Sequence, residues 1–410
     1  MAKNIDQASS IGLDAAFPRH EQFPRHVAFA FVPVGDKRCH IYVEPLHGPL
    51  RRVHTGAADL DCEGDGYRWS HAFNLAYMAI LGWSPVARAL LGLKRRSDRT
   101  FEKAEDGARA QMMEEAMSAL IFHDAEANGF YERTGDIPQS LVDEVCWIAH
   151  HYEARQIKAE GWRTAIQQGY KIWRSLRARN GGIVELNLND RHIQYRPLPS
   201  VPHCHVSDLY CDAPARADSC AIRPPQEQFP PRATFMLVET KQDVAELFVD
   251  LSHGGYVNIG SKAEEWSHGN DGFRWHDVFH LANAAVLGWS PVIRSLLGLE
   301  RRSNPIVWGR EDDLRAQIAE EAFGVLAFGR AKEFGWFEAR VVPPVVRLYM
   351  DQLLGRYEVM DVPHELRERA LLDGFDVWRS VRKAGGGLID LDFVGRSIAY
   401  RPIADTRHSM

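Results

Sequence analysis

The 410-residue chain has no apolar run approaching about 18 residues, so the sequence predicts no helix that could cross a membrane. Its first residues, MAKNIDQASSIGLDAAF, lack a basic segment followed by an apolar one, and we therefore expect no secretory signal. Cysteine is scarce, with six in the whole chain, which is too few for a disulfide framework. This scarcity favours a reducing, cytoplasmic location.

An excess of positive charge is also lacking. The chain has 49 Lys and Arg against 55 Asp and Glu, a formal net charge of −6. This balance provides no overall attraction to nucleic acid or to an anionic membrane, so neither is indicated as a partner. The 45% of hydrophobic residues and 25% of charged residues are typical of an ordinary globular protein. At this length more than one domain is expected.

A near-complete internal duplication organises the chain. DGYRWSHAFNLAYMAILGWSPV at 65–86 returns as DGFRWHDVFHLANAAVLGWSPV at 271–292. Shorter matches (EQFP, RRS, EEA, WRS, YRP) occur in the same order in both copies. Each copy is long enough to be a domain, unlike the short units of a solenoid. The sequence therefore predicts an N-terminal extension at 1–20, a first repeat at 21–198, a linker at 199–226, a second repeat at 227–403 and a tail at 404–410.

The segment between the repeats is rich in Pro, Ala, Asp and Ser, which indicates a linker. It also contains His203, Cys204, His205, Cys211 and Cys220, which are potential zinc ligands. Their spacing matches no common zinc-binding framework, and the first repeat has no equivalent. We therefore favour a plain linker over a zinc site.

Each repeat is predicted to be α+β and helix-dominated, with the order β-hairpin, about five helices, β-hairpin. In the second repeat, ATFMLVET and AELFVDLS predict the first hairpin, and LIDLDFVGRSIAY predicts the last. Ser290 followed by Pro291 is a helix-start signal. The predicted helices cover about 272–287, 288–299, 311–334, 345–357 and 365–383. The two hairpins are expected to form a small antiparallel sheet.

One polar cluster differs between the repeats. The second repeat has His276, Asp277 and His280 where the first has Ser70, His71 and Asn74. His276 and His280 share one helix face, and Glu321 lies in an apolar helix stripe where a carboxylate is costly unless it is paired or binds a metal. We therefore predict a divalent metal site with His276, Asp277, His280 and Glu321 as ligands. Mn, Zn, Fe and Mg all stay open, although this ligand set suits Mn, Zn, Fe or Ni better than Mg.

A structural interpretation of the shared charged residues is also open. Glu115 persists in the repeat that lacks both imidazoles, so it and Glu321 could accept hydrogen bonds from a helix N-terminus or pair with Arg68 and Arg274. Basic residues that could neutralise a phosphate are Arg274, Arg301, Arg302 and Arg396. Basic residues near a helix C-terminus are favourable without any ligand.

The shared motifs resemble those of the MazG C-terminal domain, a module that usually follows an all-α nucleotide pyrophosphohydrolase domain. The second repeat carries the family's HDxxH pattern as His276, Asp277 and His280, whereas the first departs from it and resembles a degenerate copy. MazG catalytic domains bind Mg²⁺ through an EExxE motif followed by ExxD. Here Ser118 and Gly324 replace the last glutamate of EExxE, so the resemblance alone does not imply pyrophosphohydrolase activity.

Two functions follow from these observations. The first is a metal-dependent hydrolase, with its site in the second repeat, acting on a nucleotide or related phosphorylated small molecule. In that case Asp277 or Glu320 is the candidate catalytic residue that orients the attacking water. The alternative is a non-catalytic nucleotide-sensing or protein-interaction module, with a role in bacterial stress or phage defence suggested by the MazG association alone. An iron oxygenase fits the ligand set but has no other support.

The duplication predicts that the two repeats pack on one another as a pseudo-twofold pair, because a small sheet cannot cover all the apolar helix faces of its own repeat. We expect residues 1–200 and 220–410, expressed separately, to be less stable than the whole chain or to form oligomers. Sedimentation and thermal melting measure both properties. Two soluble monomers as stable as the full chain would refute the pairing.

Overall fold

The computed structural model describes residues 13–35, 38–44, 51–55, 65–132, 136–198, 227–241, 244–250, 255–264 and 271–403. They belong to two compact units, Met1–Ala221 and Ile222–Met410, each of which contains one of the two repeats. The linker histidines and cysteines lie outside the described residues. Within these ranges no helix has the length and hydropathy needed to cross a membrane.

Each unit contains one five-stranded antiparallel sheet built from both ends of its repeat. In the first unit the order is β3-β2-β1-β4-β5, and in the second β8-β7-β6-β9-β10. The first five strands are β1 His26–Val34, β2 Arg38–Glu44, β3 Arg51–Thr55, β4 Gly182–Asn187 and β5 His192–Arg196. The second five are β6 Arg232–Lys241, β7 Val244–Asp250, β8 Val257–Glu264, β9 Gly386–Asp392 and β10 Ser397–Arg401.

The predicted hairpins are present and form one antiparallel sheet in each repeat, as expected, but the edge strands of these sheets were missed. Strands β3 and β8 add an edge strand to each opening hairpin, and the two hairpins of a repeat pair through β1 with β4 and β6 with β9. Phe29 opposite Val184, and Phe235 opposite Ile389, are fully buried at these junctions. The edge strands lack the alternating apolar pattern of a half-buried strand, which is why the sequence did not reveal them.

Six α-helices lie between the hairpins in the described part of each unit. They are α1 His71–Ala76, α2 Pro85–Leu91, α3 Arg99–Ala104, α4 Ala108–Ala127, α5 Gln139–Ala149 and α6 Ala159–Arg179 in the first. They are α7 Asp277–Ala282, α8 Pro291–Leu297, α9 Pro305–Val307, α10 Leu314–Ala331, α11 Pro344–Leu354 and α12 His364–Ala384 in the second. The α+β, helix-dominated prediction is therefore confirmed, with one short extra helix (α3 or α9) in each unit.

The Ser-Pro signal begins a helix in both units, as predicted. The Ser84 hydroxyl accepts a hydrogen bond from the Ala87 amide at 2.9 Å, and the Ser290 hydroxyl accepts one from the Ile293 amide at 3.1 Å. A proline follows each serine at the first helical position, where its missing N–H costs nothing. Just before these helices, α1 and α7 each end in a π-helical turn, at Tyr77–Leu81 and Asn283–Leu287.

The Asp-Gly turn that precedes α7 is held by α12. Gly272 has φ of +83°, and its carbonyl accepts a hydrogen bond from the Trp378 indole at 2.9 Å. A Cβ at Gly272 would lie 2.9 Å from Cζ2 of Trp378 and 2.8 Å from Cδ of Arg382. The first unit repeats this contact between Trp173 and Gly66 at 2.8 Å. Both the conformation and the close approach therefore require glycine at this turn.

We expect Gly272→Ala to destabilise the second unit through two effects. The left-handed conformation costs about 1–2 kcal/mol for a residue with a Cβ, and crowding against the indole adds about 1–3 kcal/mol. Gly288→Ala is the matched control, because Gly288 has φ of +71° but nothing within 4 Å of the added Cβ. Chemical denaturation measures both variants. Equal losses of stability in the two variants would show that the close approach of Trp378 does not restrict the residue at position 272.

Candidate metal centre

Two helices bring the polar cluster of the second repeat together. His276 ends the 3-10 turn Phe273–Trp275, and Asp277 and His280 lie on the first turn of α7. Glu320 and Glu321 come from the middle of α10. The predicted convergence of His276, His280 and Glu321 is therefore present in the structure.

The potential ligand atoms lie close to one another. Nε2 of His280 is 3.2 Å from Oε2 of Glu321, and Nε2 of His276 is 3.8 Å from that same oxygen. Nε2 of His276 is also 3.7 Å from Oδ1 of Asp277. One ligand atom from each of His276, Asp277 and His280 can be chosen so that all three lie within 4.8 Å of one another.

These separations fit a small divalent metal. Ligands at about 2.0–2.2 Å from a tetrahedral metal lie about 3.3–3.6 Å from one another, which is close to the three distances of the cluster. In addition, neither Nε2 of His280 nor Oε2 of Glu321 makes a hydrogen bond of good geometry, although both atoms are buried. Buried polar atoms without such partners are unusual and point to an ion or a water molecule. The residues present therefore fit a metal.

The ring of His276 is oriented by Phe273. Its Nδ1 lies 3.0 Å from the Phe273 carbonyl oxygen, so a proton on Nδ1 can be donated there. The two rings also stack, with centroids 4.3 Å apart and an interplanar angle of 5°. A hydrogen bond on one ring nitrogen leaves the lone pair of the other facing the site, as in known metal centres.

Glu320 orients His280 and also caps a helix. Its Oε1 lies 3.2 Å from Nδ1 of His280 and accepts a hydrogen bond from the side-chain Nδ2 of Asn283 at 3.1 Å. Its Oε2 accepts hydrogen bonds from the Ser290 hydroxyl at 2.9 Å and from the Val292 amide at 3.0 Å, at the start of α8. With both oxygens engaged, Glu320 is placed to support His280, in contrast to the catalytic role that the sequence suggested.

The cluster of the second repeat favours an ion pair. Burial disfavours the charged form of His280, but the charges of Glu321 and Glu320 outweigh it and raise the imidazole pKa well above its usual value. Burial likewise opposes ionisation of Glu321, yet the charge of His280, aided by that of His276, lowers the pKa of that carboxyl. Negative charge is thus stabilised next to two imidazoles.

The first repeat keeps the helix cap without the imidazole. Glu114 accepts hydrogen bonds from the Ser84 hydroxyl at 2.6 Å and the Val86 amide at 2.7 Å, and Nδ2 of Asn74 donates to it at 2.9 Å in place of His280. The structural interpretation assigned this cap to Glu115 and Glu321. That assignment was wrong by one residue, since Glu114 and Glu320 form the cap.

Glu115 lies instead beside His71, in a neutral environment. Oε1 of Glu115 is 4.0 Å from Nδ1 of His71, whose ring packs on His54 at 4.5 Å between centroids. Burial raises the pKa of Glu115 to about 7 and that of Glu114 to about 8. Burial, with the charge of His54, lowers the pKa of His71 to about 3. At this equivalent position the two repeats therefore differ both in their residues and in which of those residues are ionised.

Arg301 has structural partners that both repeats share. Its guanidinium lies 2.7 Å from Asp312 and 2.6 Å from Glu358. In the first repeat, Arg95 makes the equivalent 2.7 Å contact with the buried Asp106. Asp312 and Glu358 thus already neutralise the Arg301 guanidinium, which the sequence analysis had considered for phosphate binding.

The other candidate arginines also contact groups outside the cluster. Arg302 lies 2.6 Å from Glu300, and Arg274 lies 3.4 Å from Glu239. Arg396 occupies the turn between β9 and β10 with φ of +52°. Arg302 and Arg274 are thus paired with carboxylates outside the cluster, and the role of all three arginines in phosphate binding stays a prediction.

Two supporting residues were missed by the sequence reasoning. Phe273 orients His276, and Asn283 donates to Glu320. For Asn283 a signal was available, because the first repeat has Tyr77 at that position. Comparison of the two repeats, which revealed the histidines, therefore could also have revealed Asn283.

Comparison with known proteins gives one match. The family model described as "MazG C-terminal domain" matches residues 8–199 and 218–404, once for each repeat. No curated protein and no solved structure matches the chain. The match supports the tandem duplication and associates the chain with MazG-type proteins, which is consistent with a nucleotide-related role at the coarsest level.

We expect opposite effects from Gln at the two equivalent glutamates. Glu115 has a folded pKa of about 7 against an ordinary value of 4.5, so its contribution to stability falls as pH rises between these values. Glu321 has a lowered pKa, so its contribution is present above about 4.5 and is lost as pH falls through the folded value. At pH 8, Glu115→Gln should therefore stabilise the protein and Glu321→Gln should destabilise it, each by on the order of 1–3 kcal/mol.

Thermal melting in the presence of a chelator measures both variants without interference from a metal. Below about pH 4.5 the advantage of Glu115→Gln should disappear, because the wild-type carboxyl is then neutral in both states. Shifts of the same sign at pH 8 would contradict the charge difference between the repeats.

Proposed function

The chain belongs to the MazG C-terminal domain family, and on that premise we propose that its second repeat is a metal-dependent hydrolase acting on a nucleotide or related phosphorylated small molecule. The observation that carries the proposal is that Nε2 of His280 and Nε2 of His276 lie 3.2 Å and 3.8 Å from the same oxygen, Oε2 of Glu321. Family membership supports the nucleotide-related part of the proposal, and the donor set supports the metal.

His276, His280 and Glu321 would hold the metal, with Asp277 as a fourth ligand. The set of two imidazoles and two carboxylates suits Mn, Zn or Fe. A divalent metal supplies Lewis-acid polarisation of a phosphoryl oxygen when it is bound at such a site. Glu320 holds Nδ1 of His280, so that Nε2 is available as a ligand.

Differences in exposure indicate the direction from which a substrate reaches the site. The side chain of His280 is 1% exposed, whereas those of His276 and Glu321 are 16% and 15% exposed. A phosphorylated ligand would therefore approach along His276 and Glu321. Asp277, whose side chain is 6% exposed, lies next to that opening and is our candidate to accept a proton from the attacking water.

The main experiment combines metal analysis with the substitution His280→Asn. Asparagine is the residue of the first repeat, where its amide donates to Glu114, so the variant should keep the helix cap and the fold. We expect about one metal ion per wild-type chain, and a loss of metal affinity of at least tenfold in the variant, since one ligand is removed. Glu321→Gln should have a similar effect, and Glu115→Gln is its matched control, which should retain the metal.

Hydrolysis is then measured on a panel of nucleoside di- and triphosphates with Mn²⁺, Zn²⁺ or Fe²⁺ added. We expect release of phosphate or pyrophosphate by the wild type and at least a hundredfold lower rate in His280→Asn. If the protein binds a metal but hydrolyses no nucleotide of the panel, the nucleotide-sensing module becomes the preferred function. The absence of metal binding in the wild type would contradict the metal site itself.

A further inference from the structure

One buried arginine has nearly the same surroundings in both repeats. Arg88 lies on α2 and Arg294 on α8, the helices that begin at the Ser-Pro signal, and their side chains are 2% and 8% exposed. Nη1 of each arginine donates to two backbone carbonyl oxygens, at 2.8 Å and 3.2 Å in both repeats. Each guanidinium also lies over a phenylalanine ring, 4.1 Å from the centroid of Phe23 and 4.3 Å from that of Phe229. The two arginines therefore occupy equivalent positions.

The first repeat places a carboxylate against this arginine. Oδ2 of Asp14 is 3.3 Å from Nη2 of Arg88 and accepts a hydrogen bond from the backbone N–H of Phe23 at 2.5 Å. Oδ1 of Asp14 lies 3.6 Å from Nη2 of Arg25. Asp14 is only 1% exposed, so these donors take the place of its hydration. The first repeat thus shows how the guanidinium and the amide together hold a carboxylate.

The second repeat keeps the donor groups but not the aspartate. At the same distance before the EQFP motif, the first repeat has Asp14 and the second has Cys220, which lies outside the described residues. The hydrogen bonds that Arg294 makes to described residues all leave from Nη1, and its buried Nε has none. The backbone N–H of Phe229 donates to no described residue either. Nη2 of Arg294 and the N–H of Phe229 are thus the two groups whose counterparts hold Asp14.

A carboxylate at Nη2 would improve the environment of the second cation. A guanidinium stays charged at any ordinary pH, and its burial is costly unless opposite charge and hydrogen bonds replace its hydration. Oδ1 of Asp312 lies 3.9 Å from Nε of Arg294, but both oxygens of Asp312 already accept hydrogen bonds from Arg301. Pro231 stands where the first repeat has the cation Arg25, so we expect the second repeat to hold a carboxylate less tightly than the first.

We propose that Arg294 and the backbone N–H of Phe229 bind the carboxylate of a small organic acid. A charged guanidinium and a backbone N–H give a carboxylate both attraction and a fixed direction. The side chain of Arg294 is 8% exposed against 2% for Arg88, which is consistent with access for a small molecule. The proposal goes beyond the hydrolase function and uses no residue of the metal cluster. The two proposals can therefore fail independently.

Acetate is the probe, and the Phe229 backbone amide is the reporter. The full chain is labelled with ¹⁵N at phenylalanine, treated with a chelator, and titrated with sodium acetate at constant pH and ionic strength, with sodium chloride as the reference. We expect a saturable shift of the Phe229 amide resonance with acetate, because its N–H gains a hydrogen bond. The Phe23 amide already donates to Asp14 and should not respond, so it is the control within the same spectrum.

Two variants exchange the properties of the repeats. Asp14→Ala removes the carboxylate of the first repeat and should make the Phe23 amide respond to acetate. Cys220→Asp places a carboxylate at the position of Asp14 in the second repeat. It should weaken the acetate response of Phe229 by about tenfold or more, because a tethered carboxylate competes at a high effective concentration. If either variant does not fold, the comparison of Phe229 with Phe23 in the wild type still decides the question.

Three results would overturn the proposal. The first is a wild-type Phe229 amide that does not respond to acetate. The second is an equal response of that amide to chloride, which would show that carboxylate is not preferred. The third is an acetate response that appears only after Asp218→Asn, because the chain itself would then supply the carboxylate.

Discussion

The contact on which each repeat depends is a buried glutamate of the long helix that caps the Ser-Pro helix. Glu114 and Glu320 are both 0% exposed, and such a carboxylate is tolerated only if hydrogen bonds replace its lost hydration. The serine hydroxyl and the free amide at the start of the Ser-Pro helix provide them, at the positive end of the helix dipole. The long helix and the Ser-Pro helix are thereby fixed to each other in both repeats.

The same glutamate also determines which side chains α1 and α7 can place beside it. One of its oxygens accepts a hydrogen bond from Asn74 in the first repeat and faces His280 in the second. Either side chain can supply an N–H at this point, so the scaffold accepts an amide or an imidazole without rearrangement. The exchange changes the chemistry, because an imidazole has a second nitrogen, and in the second repeat this nitrogen faces Glu321. The chemistry at this point can therefore change while the fold is kept.

The sequence predicted the features that depend on local spacing. The Ser-Pro helix starts and the shared face of His276 and His280 follow from patterns within a few turns of helix, and the duplication follows from direct comparison of the two segments. It could not tell which of two adjacent glutamates points to the cap, because successive helical residues lie about 100° apart and both can reach a neighbouring helix. The pairing of Arg301 with Glu358 joins residues far apart in the chain, and no local pattern contains such a contact. The edge strands β3 and β8 escaped prediction because they lack the alternating apolar pattern of a half-buried strand.

The resemblance of the repeats in sequence therefore says little about which of them is functional. The cap, the Asp-Gly turn and its tryptophan are present in both units, because each is needed to fold. What separates the units is the charge around one helix turn. In the first, burial keeps His71 neutral at pH 7 and raises the pKa of Glu115 to about 7. In the second, His280 and Glu321 form a buried pair at 3.2 Å, and His276 faces the same carboxylate oxygen at 3.8 Å. Burial removes the hydration of both partners of such a pair, and apolar side chains of similar volume at the same place are often as stable or more stable. The second repeat therefore keeps a cluster that packing alone does not require.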